Sequence, residues 1–259
     1  MKQLLLLLSL VSLATRTLAQ EVDTTRTDSI MPPNGHFSGV ITATQNGISL
    51  LPNFTLGKPA LLFDLSLGRG RWSFDPLLRF AMTGKPWTFV FWGRYKLVNR
   101  KRFTMGVGAH PAFVFSTTPA TVNGVTRDYQ IAQRYFAWET TPTYFFSEQT
   151  GIGIHYLGSH GLDSYAVPYT HFVALRGVIS RVPLFHRVNM TLLPQAYYLY
   201  TGGRQGVYVS TYAELSWKQI PFSLSSVISR KIRSDVAGKD LVWNLQVSYH
   251  FKQNYTAKL

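Results

Sequence analysis

Histidine and serine are the residues best suited to chemistry in this sequence, and they come closest together in Ser159-His160-Gly161-Leu162-Asp163. A serine and a histidine can hydrolyse esters when their side chains meet and an acid orients the histidine. Ser159 and His160 are neighbours, so on a strand they point to opposite faces and cannot pair. His155 shares a face with Ser159 but would lie about 13 Å away along the strand. We therefore predict no catalytic site and no enzyme activity; hydrolysis of outer-membrane lipid is the weakest alternative.

Metal and cofactor sites are likewise not indicated. The seven histidines are scattered without a ligand spacing such as His-x-x-x-His, and no Asp/Glu cluster resembles a calcium loop. The chain has no cysteine, which excludes disulfides and zinc–thiolate sites. Gly68-Arg69-Gly70 has the composition of a tight turn between strands and not of a phosphate-binding loop. We predict no metal and no cofactor.

The first nineteen residues have the composition of an export signal. Lys2 is followed by an apolar run over residues 4–13, and Thr17-Leu18-Ala19 supplies small residues before Gln20. We predict that residues 1–19 are a cleaved signal peptide, that the protein crosses the inner membrane and that it resides in the cell outer membrane. Lys and Arg number 26 against 12 Asp and Glu, a formal charge of +14, which fits an anionic surface or solute. Nucleic acid is excluded as a partner because an exported chain rarely meets it.

Long alternating segments decide the predicted fold. Along residues 71–82 every even position is apolar, beginning with Trp72 and ending with Met82, whereas Arg71, Asp75 and Arg79 stand at odd positions. Residues 87–98, 102–116 and 240–251 alternate in the same way. Period two over ten or more residues predicts strands longer than those of soluble sandwiches. Strands of this length, with aromatic residues near the ends of the apolar face, favour a transmembrane barrel over a secreted sandwich or lipocalin-like barrel.

The turn signals divide the chain into twelve predicted strands of an all-β, antiparallel, up-and-down barrel, with ten or fourteen as alternatives. The predicted strands are 48–56, 60–68, 71–82, 87–98, 102–116, 130–146, 151–159, 168–182, 186–201, 205–218, 221–233 and 240–251. Pro52 weakens the first of them, and residues 37–45 are its alternative. With a periplasmic N-terminus the longest connections, 117–129, 160–167 and 234–239, all fall outside the cell, as in outer-membrane barrels.

With its predicted signal peptide, its alternation and its closing strand of residues 241–251, the chain resembles bacterial outer-membrane β-barrels. It resembles in particular the porin-like barrels of Bacteroidota, many of which have no assigned activity. The resemblance covers residues 48–251, the predicted barrel. Residues 20–47 are then a periplasmic segment that could include an extra strand, and 252–259 a short periplasmic tail. Such barrels often end at an aromatic residue, and Phe251 departs from that pattern because eight residues follow it.

The polar faces of the predicted strands form the expected lumen, in which Arg and Lys outnumber Asp and Glu. The predicted lumen-lining residues are Asp64, Arg71, Asp75, Arg79, Arg94, Lys96, Arg102, His110, Glu139, His155, Arg176, Tyr197, Tyr208, Tyr212, Glu214, Lys218, Asn244 and Gln246. A basic lumen predicts a passive, porin-like channel for small anionic solutes. The equal alternative is a lumen plugged by its own side chains.

A structural or accessory role is a further alternative, in which the barrel binds lipopolysaccharide or joins a larger outer-membrane complex. Basic residues in or near the predicted outer loops would meet the phosphates of the lipid: Arg127, Arg230, Lys231, Arg233 and Lys239. Outer-membrane lipid and lipopolysaccharide are therefore predicted partners. Solvated loop charges are the commoner explanation for such residues.

Overall fold

A computed structural model describes residues 35–51, 54–122 and 125–256 of this chain. They form antiparallel strands, and each strand except the last two pairs with the next one along the chain. The strands are β1 Gly35–Thr44, β2 Ala60–Arg69, β3 Trp72–Ala81, β4 Pro86–Asn99, β5 Phe103–Val122, β6 Val125–Phe145, β7 Thr150–Gly161, β8 Tyr169–Phe185, β9 Val188–Thr201, β10 Arg204–Trp217, β11 Phe222–Ser234, β12 Leu241–Trp243 and β13 Gln246–Tyr255. The predicted signal peptide lies outside the described residues.

The sheet closes into a barrel. β13 pairs with β1, from Gln246 opposite Thr44 to Tyr255 opposite Gly35, and β11 pairs with both β10 and β13. Because β12 and β13 follow one another along the same edge of β11, they fill a single position of a twelve-stranded barrel. The predicted all-β, twelve-stranded, antiparallel barrel is confirmed. No helix among the described residues is long and apolar enough to cross a membrane.

Asn244 explains the break between β12 and β13. Its side-chain Oδ1 accepts the Val227 backbone N–H at 2.8 Å, and its Nδ2 donates to the Asn46 carbonyl at 3.1 Å. The side chain is fully buried and takes over hydrogen bonds that the backbone ladder would otherwise make. One polar residue thus keeps the strand connected to β11 and also fixes the start of the β1–β2 loop.

The first strand is where the sequence prediction was wrong. Residues 48–56 are not a strand; β1 runs from Gly35 to Thr44, close to the alternative of 37–45. Residues 45–59 form the β1–β2 loop instead, whose Leu51 and Phe54 pack against inward-facing barrel residues. This short run is apolar because its side chains are buried inside the barrel and not because they face lipid. The barrel therefore begins before residue 48.

Two boundaries extend further than predicted. Residues 117–129 were expected to be a loop, but β5 and β6 remain paired from Thr117 opposite Gln130 to Val122 opposite Val125. The segment is polar like a loop, yet its threonines and valines favour the extended backbone. At the other end β13 continues to Tyr255, past the predicted limit of 251, because its last residues pair with the beginning of β1.

Side-chain polarity separates the two faces of the wall. The outward face exposes large apolar residues on every side, for example Ile154 at 50% and Leu175 at 55% exposure. Aromatic residues that are exposed on the outside include Trp72, Phe103, Tyr144 and Phe222 near one end, and Phe136, Tyr169 and Trp243 near the other. The inward face carries the polar and ionisable side chains described below. We call the end with the β1–β2 loop the loop end, and the opposite end, with the connections 70–71, 100–102 and 186–187, the turn end.

Candidate functional site

The centre of the lumen holds a charged network whose geometry follows from strand register. Arg94 lies opposite Gly108, and Gly108 lies opposite Glu139, so the three residues form one row across β4, β5 and β6. A Cβ atom at Gly108 would lie 3.0 Å from Cγ of Arg94. The missing side chain therefore leaves room for Arg94 to cross β5 and reach Glu139.

Arg94 is the hub of this network. Its Nε donates to Glu139 Oε1 at 2.7 Å and its Nη1 to Asp75 Oδ2 at 2.9 Å. Its guanidinium carbon lies 4.3 Å from the centre of the Trp92 ring, a cation–π contact. The two carboxylates are buried, with 12% and 9% of their side chains exposed, so a shared cation compensates both charges.

His155 joins Glu139 to a second arginine. Its Nδ1 lies 2.9 Å from Nη2 of Arg176, and its Nε2 lies 3.0 Å from Glu139 Oε2. A guanidinium can only donate, so Nδ1 accepts and the proton of a neutral His155 sits on Nε2, where it donates to Glu139. The network thus assigns one tautomer of the ring.

Beyond Arg176 the hydrogen bonds continue around the wall. Arg176 Nε donates to Gln195 Oε1 at 3.3 Å, and Gln195 Nε2 donates to Ser210 Oγ at 2.9 Å. Arg176 makes no ion pair within the described part of the chain. Its charge is therefore available to the cavities that it lines.

The opposite wall carries a smaller cluster that contains a serine–histidine pair missed in the sequence. The Ser223 Oγ–His250 Nε2 distance is 2.8 Å, and Tyr212 donates to Glu214 Oε2 at 2.5 Å. Glu214 contacts Ser223 at 3.4 Å instead of orienting the histidine ring, and Ser223 is only 1% exposed. The order of groups differs from a catalytic triad, in which the acid contacts the histidine.

The structure places most of the predicted lumen residues around a set of adjoining cavities. Those that line a cavity are Asp64, Arg71, Asp75, Arg79, Arg94, Lys96, His110, Glu139, His155, Arg176, Tyr197, Tyr212, Glu214 and Gln246. Tyr208 is buried against Tyr197, with ring centres 4.9 Å apart, and Asn244 is buried in the wall.

Two predicted lumen residues lie elsewhere. Arg102 and Lys218 are exposed residues of the connections at the turn end, after β4 and β10 respectively. Their backbones still continue the ladder, since the Arg102 carbonyl accepts from the Phe145 N–H and the Lys218 N–H donates to the Arg187 carbonyl. Their side chains are exposed because they stand at the rim of the barrel.

Sequence reasoning also missed polar residues that line the lumen at the turn end. His36 Nε2 lies 3.2 Å from Ser66 Oγ, which donates to Asp75 Oδ1 at 2.6 Å. Arg181 lines the cavity beside Asp64 although it stands in a bulge of β8 with a φ of 53°. A bulge re-aims a side chain against the alternating pattern, so the pattern gave no signal for it.

The serine and histidine of the sequence argument do not meet. His155 is occupied by Glu139 and Arg176, and Ser159 is a buried residue four positions further along the same face of the strand. His160 hydrogen-bonds the Pro168 carbonyl at 2.9 Å, and Asp163 pairs with Arg134 at 2.6 Å. Within the described residues no group of three or more His, Cys, Asp or Glu is placed to hold a metal ion.

The lumen is polar toward the turn end and apolar toward the loop end. A cavity of about 670 Å³ at the turn end is lined by His36, Arg71, Lys96 and the central network. At the loop end Leu51 packs with Phe172 and Leu199, and Phe54 packs with Tyr135 and Ala166. The Trp87 Nε1–H donates to the Phe54 carbonyl at 3.0 Å, which fastens the β1–β2 loop to the wall.

No protein-family model matches this chain, and no curated protein matches it. Similar solved structures include the β domain of the Bordetella autotransporter BrkA, with a TM-score of 0.48 and 12% identity over 84% of this chain and 99% of that one. An outer membrane channel from Pseudomonas putida has a TM-score of 0.48 and 11% identity over 90% of this chain and 100% of that one. OmpT, an outer membrane protein of Vibrio cholerae, has a TM-score of 0.40 and 7% identity over 86% and 99%. The barrel itself is established by the strand pairing of this chain.

Proposed function

We propose that this protein is an outer-membrane barrel whose basic lumen forms a narrow channel for small anionic solutes, closed at the loop end by the β1–β2 loop. The outward face supports the membrane location. Its exposed apolar residues surround the barrel and aromatic residues lie toward both ends, the arrangement found in barrels that contact hydrocarbon. In water an apolar surface of this extent would favour aggregation.

The observation that carries the channel proposal is the charge of the cavity walls. The cations that line the polar cavities outnumber the carboxylates: Arg71, Arg79, Arg94, Lys96, Arg176, Arg181 and Lys252 stand against Asp64, Asp75, Glu139 and Glu214. A positive lining in a confined space attracts anions and repels cations. The lumen therefore favours anionic over cationic solutes.

The β1–β2 loop sets the resistance of this path. Its residues Leu50, Leu51 and Phe54 occupy the loop end of the lumen and contact several strands. The cavities on the turn side of the loop, of about 670 and 620 Å³, are large enough for small solutes. Conduction then requires movement of the loop, because the wall itself is held by continuous strand pairing.

Single-channel recording in planar bilayers tests the proposal. We expect brief, infrequent openings of the unmodified protein and steady conductance after residues 48–55 are replaced by a short Gly/Ser linker. In a salt gradient the reversal potential of the steady conductance should show anion preference. The matched control shortens the β5–β6 hairpin beyond Thr117, where the two strands pair with each other past the last pairs that they make with β4 and β7.

The same recordings can refute the proposal. Absence of conductance from the linker variant, or cation preference, would be incompatible with an anion channel. The network and the apolar contacts of the loop would then be better explained by a structural or accessory barrel, whose partner is lipopolysaccharide or a larger complex. Co-purification after mild detergent extraction would test that alternative.

A further inference from the structure

A chamber of about 270 Å³ lies beneath the β1–β2 loop and adjoins the central network, since Arg94, Glu139 and His155 also line it. Its walls are mostly apolar and include Leu50, Leu51, Phe54, Leu77, Val90 and Val114. A dry apolar cavity of about 150 Å³ is enough to hold a benzene molecule. The chamber therefore has the size and lining for a small ligand that has an apolar body.

Three polar atoms at this chamber make no hydrogen bond to the described residues. They are Oγ1 of Thr88, Nδ1 of His110 and Nε of Arg79. Thr88 is 9% and His110 6% exposed, so water outside the barrel does not reach them. A buried polar group without a partner is disfavoured, because it has given up its hydrogen bonds to water and gained none in return. Such groups are expected where a ligand completes the hydrogen bonds.

Two of the three atoms belong to facing residues. Arg79 lies directly opposite Thr88 in the register of β3 and β4, and both side chains point inward. Arginine Nε can only donate, and a threonine hydroxyl can donate as well. Arg79 has Asp64 at 4.0 Å, too far for a hydrogen bond, and its guanidinium lies 5.8 Å from the Trp87 ring centre. One acceptor group with two oxygens would satisfy both donors.

We propose that this chamber binds a small amphipathic monocarboxylate, with its carboxylate at Arg79 and Thr88 and its apolar ring or short chain against Leu77 and Val90. The cation supplies charge-assisted hydrogen bonds, and the apolar walls select against inorganic anions. The site rests on the cavity alone and does not require that the barrel conducts. If the barrel does conduct, the site names the class of solute that the channel selects.

Isothermal titration of benzoate into the full chain in detergent micelles tests this site. We expect saturable binding of benzoate, with acetate and benzyl alcohol at least tenfold weaker, because the first lacks the apolar body and the second the charge. Arg79→Met should weaken benzoate binding at least tenfold, and Thr88→Val several-fold. Ala112→Phe should abolish it, since Ala112 lines the chamber and the larger ring would fill it.

The control is Thr42→Val, which removes the hydroxyl of another buried, inward-facing threonine. This hydroxyl lies 2.8 Å from that of Ser248, and neither residue lines the chamber. Tryptophan fluorescence spectra verify that each variant is folded. Benzyl alcohol binding as tightly as benzoate, equal effects of Thr88→Val and Thr42→Val, or no saturable benzoate binding would each overturn the proposal. Conductance without benzoate binding would overturn the carboxylate site and support the channel. Benzoate binding without conductance would overturn the channel and support the carboxylate site.

Discussion

Removal of the Arg94 charge should destabilise the barrel more than removal of any exposed lumen charge. Arg94→Met leaves Asp75 and Glu139 buried without their shared cation. Loss of one partner from a buried ion pair typically costs about 3–5 kcal/mol. Here Asp75 keeps hydrogen bonds from Ser66 and Ser73, and Glu139 keeps His155. Since Arg94 is also about a third exposed, we expect a loss of about 3 kcal/mol, the lower end of that range.

Urea unfolding in micelles, followed by tryptophan fluorescence, measures this loss. Lys96→Met is the matched control: Lys96 faces the same lumen two residues further along β4, is exposed and makes no ion pair in the described structure. It should change the free energy of unfolding by less than about 0.5 kcal/mol. Adding Asp75→Asn and Glu139→Gln to Arg94→Met should restore most of the stability, because no charge then lacks a partner. Equal effects of Arg94→Met and Lys96→Met, or a triple variant as unstable as the single one, would refute the reasoning.

Two further predictions concern the wall and the connection between β7 and β8. Gly153→Ala should lower the free energy of unfolding by about 1–3 kcal/mol, because its Cβ would lie 2.8 Å from the Pro142 carbonyl oxygen. The control is Gly93→Ala, whose Cβ would have no atom nearer than 3.8 Å and which should be close to neutral in the same urea assay. The side chain and backbone N–H of Arg134 hold the pKa of Asp163 below its usual range. The stabilisation from this pair is therefore present above the unfolded pKa of about 3.9 and disappears as the pH falls through the lowered folded value. Thermal unfolding of Asp163→Asn should thus begin below that of the unmodified protein at pH 6 and converge with it at the acid end; a constant difference across the pH range would contradict this.

The sequence predicts the barrel well because side chains alternate between the outer and the inner face along strands of ten residues or more, β12 excepted. It fails where an inward contact breaks this alternation. The apolar run around Leu51 could not be told from a strand, since burial inside a lumen and exposure to lipid select the same side chains. Arg181 was missed because a bulge, which alternation does not encode, turns it inward. The polar faces indicate which residues look into the lumen, but the pairing of Arg94 with Glu139 depends on register across Gly108, which only the three-dimensional structure gives.

In the proposed channel the β1–β2 loop and the charged lumen have separate roles: the loop closes one end, and the charged residues set the anion preference. The loop buries Leu51 nearly completely and Phe54 in part, and burying one such side chain is worth about 1.5–3 kcal/mol. With the Trp87 hydrogen bond, release of the loop should cost about 4 kcal/mol, which corresponds to an open fraction on the order of 10⁻³. The network does not contribute to this cost, because Arg94, Glu139 and His155 bond to one another and not to the loop. Replacing Leu51 by Ser should therefore raise the open probability in bilayer recordings by about tenfold or more and leave the anion preference unchanged. Arg176→Met should lower the anion preference and leave the open probability unchanged. If each variant altered both the open probability and the anion preference, the loop and the charged lumen would act as one structure. The separate roles proposed for them would then be wrong.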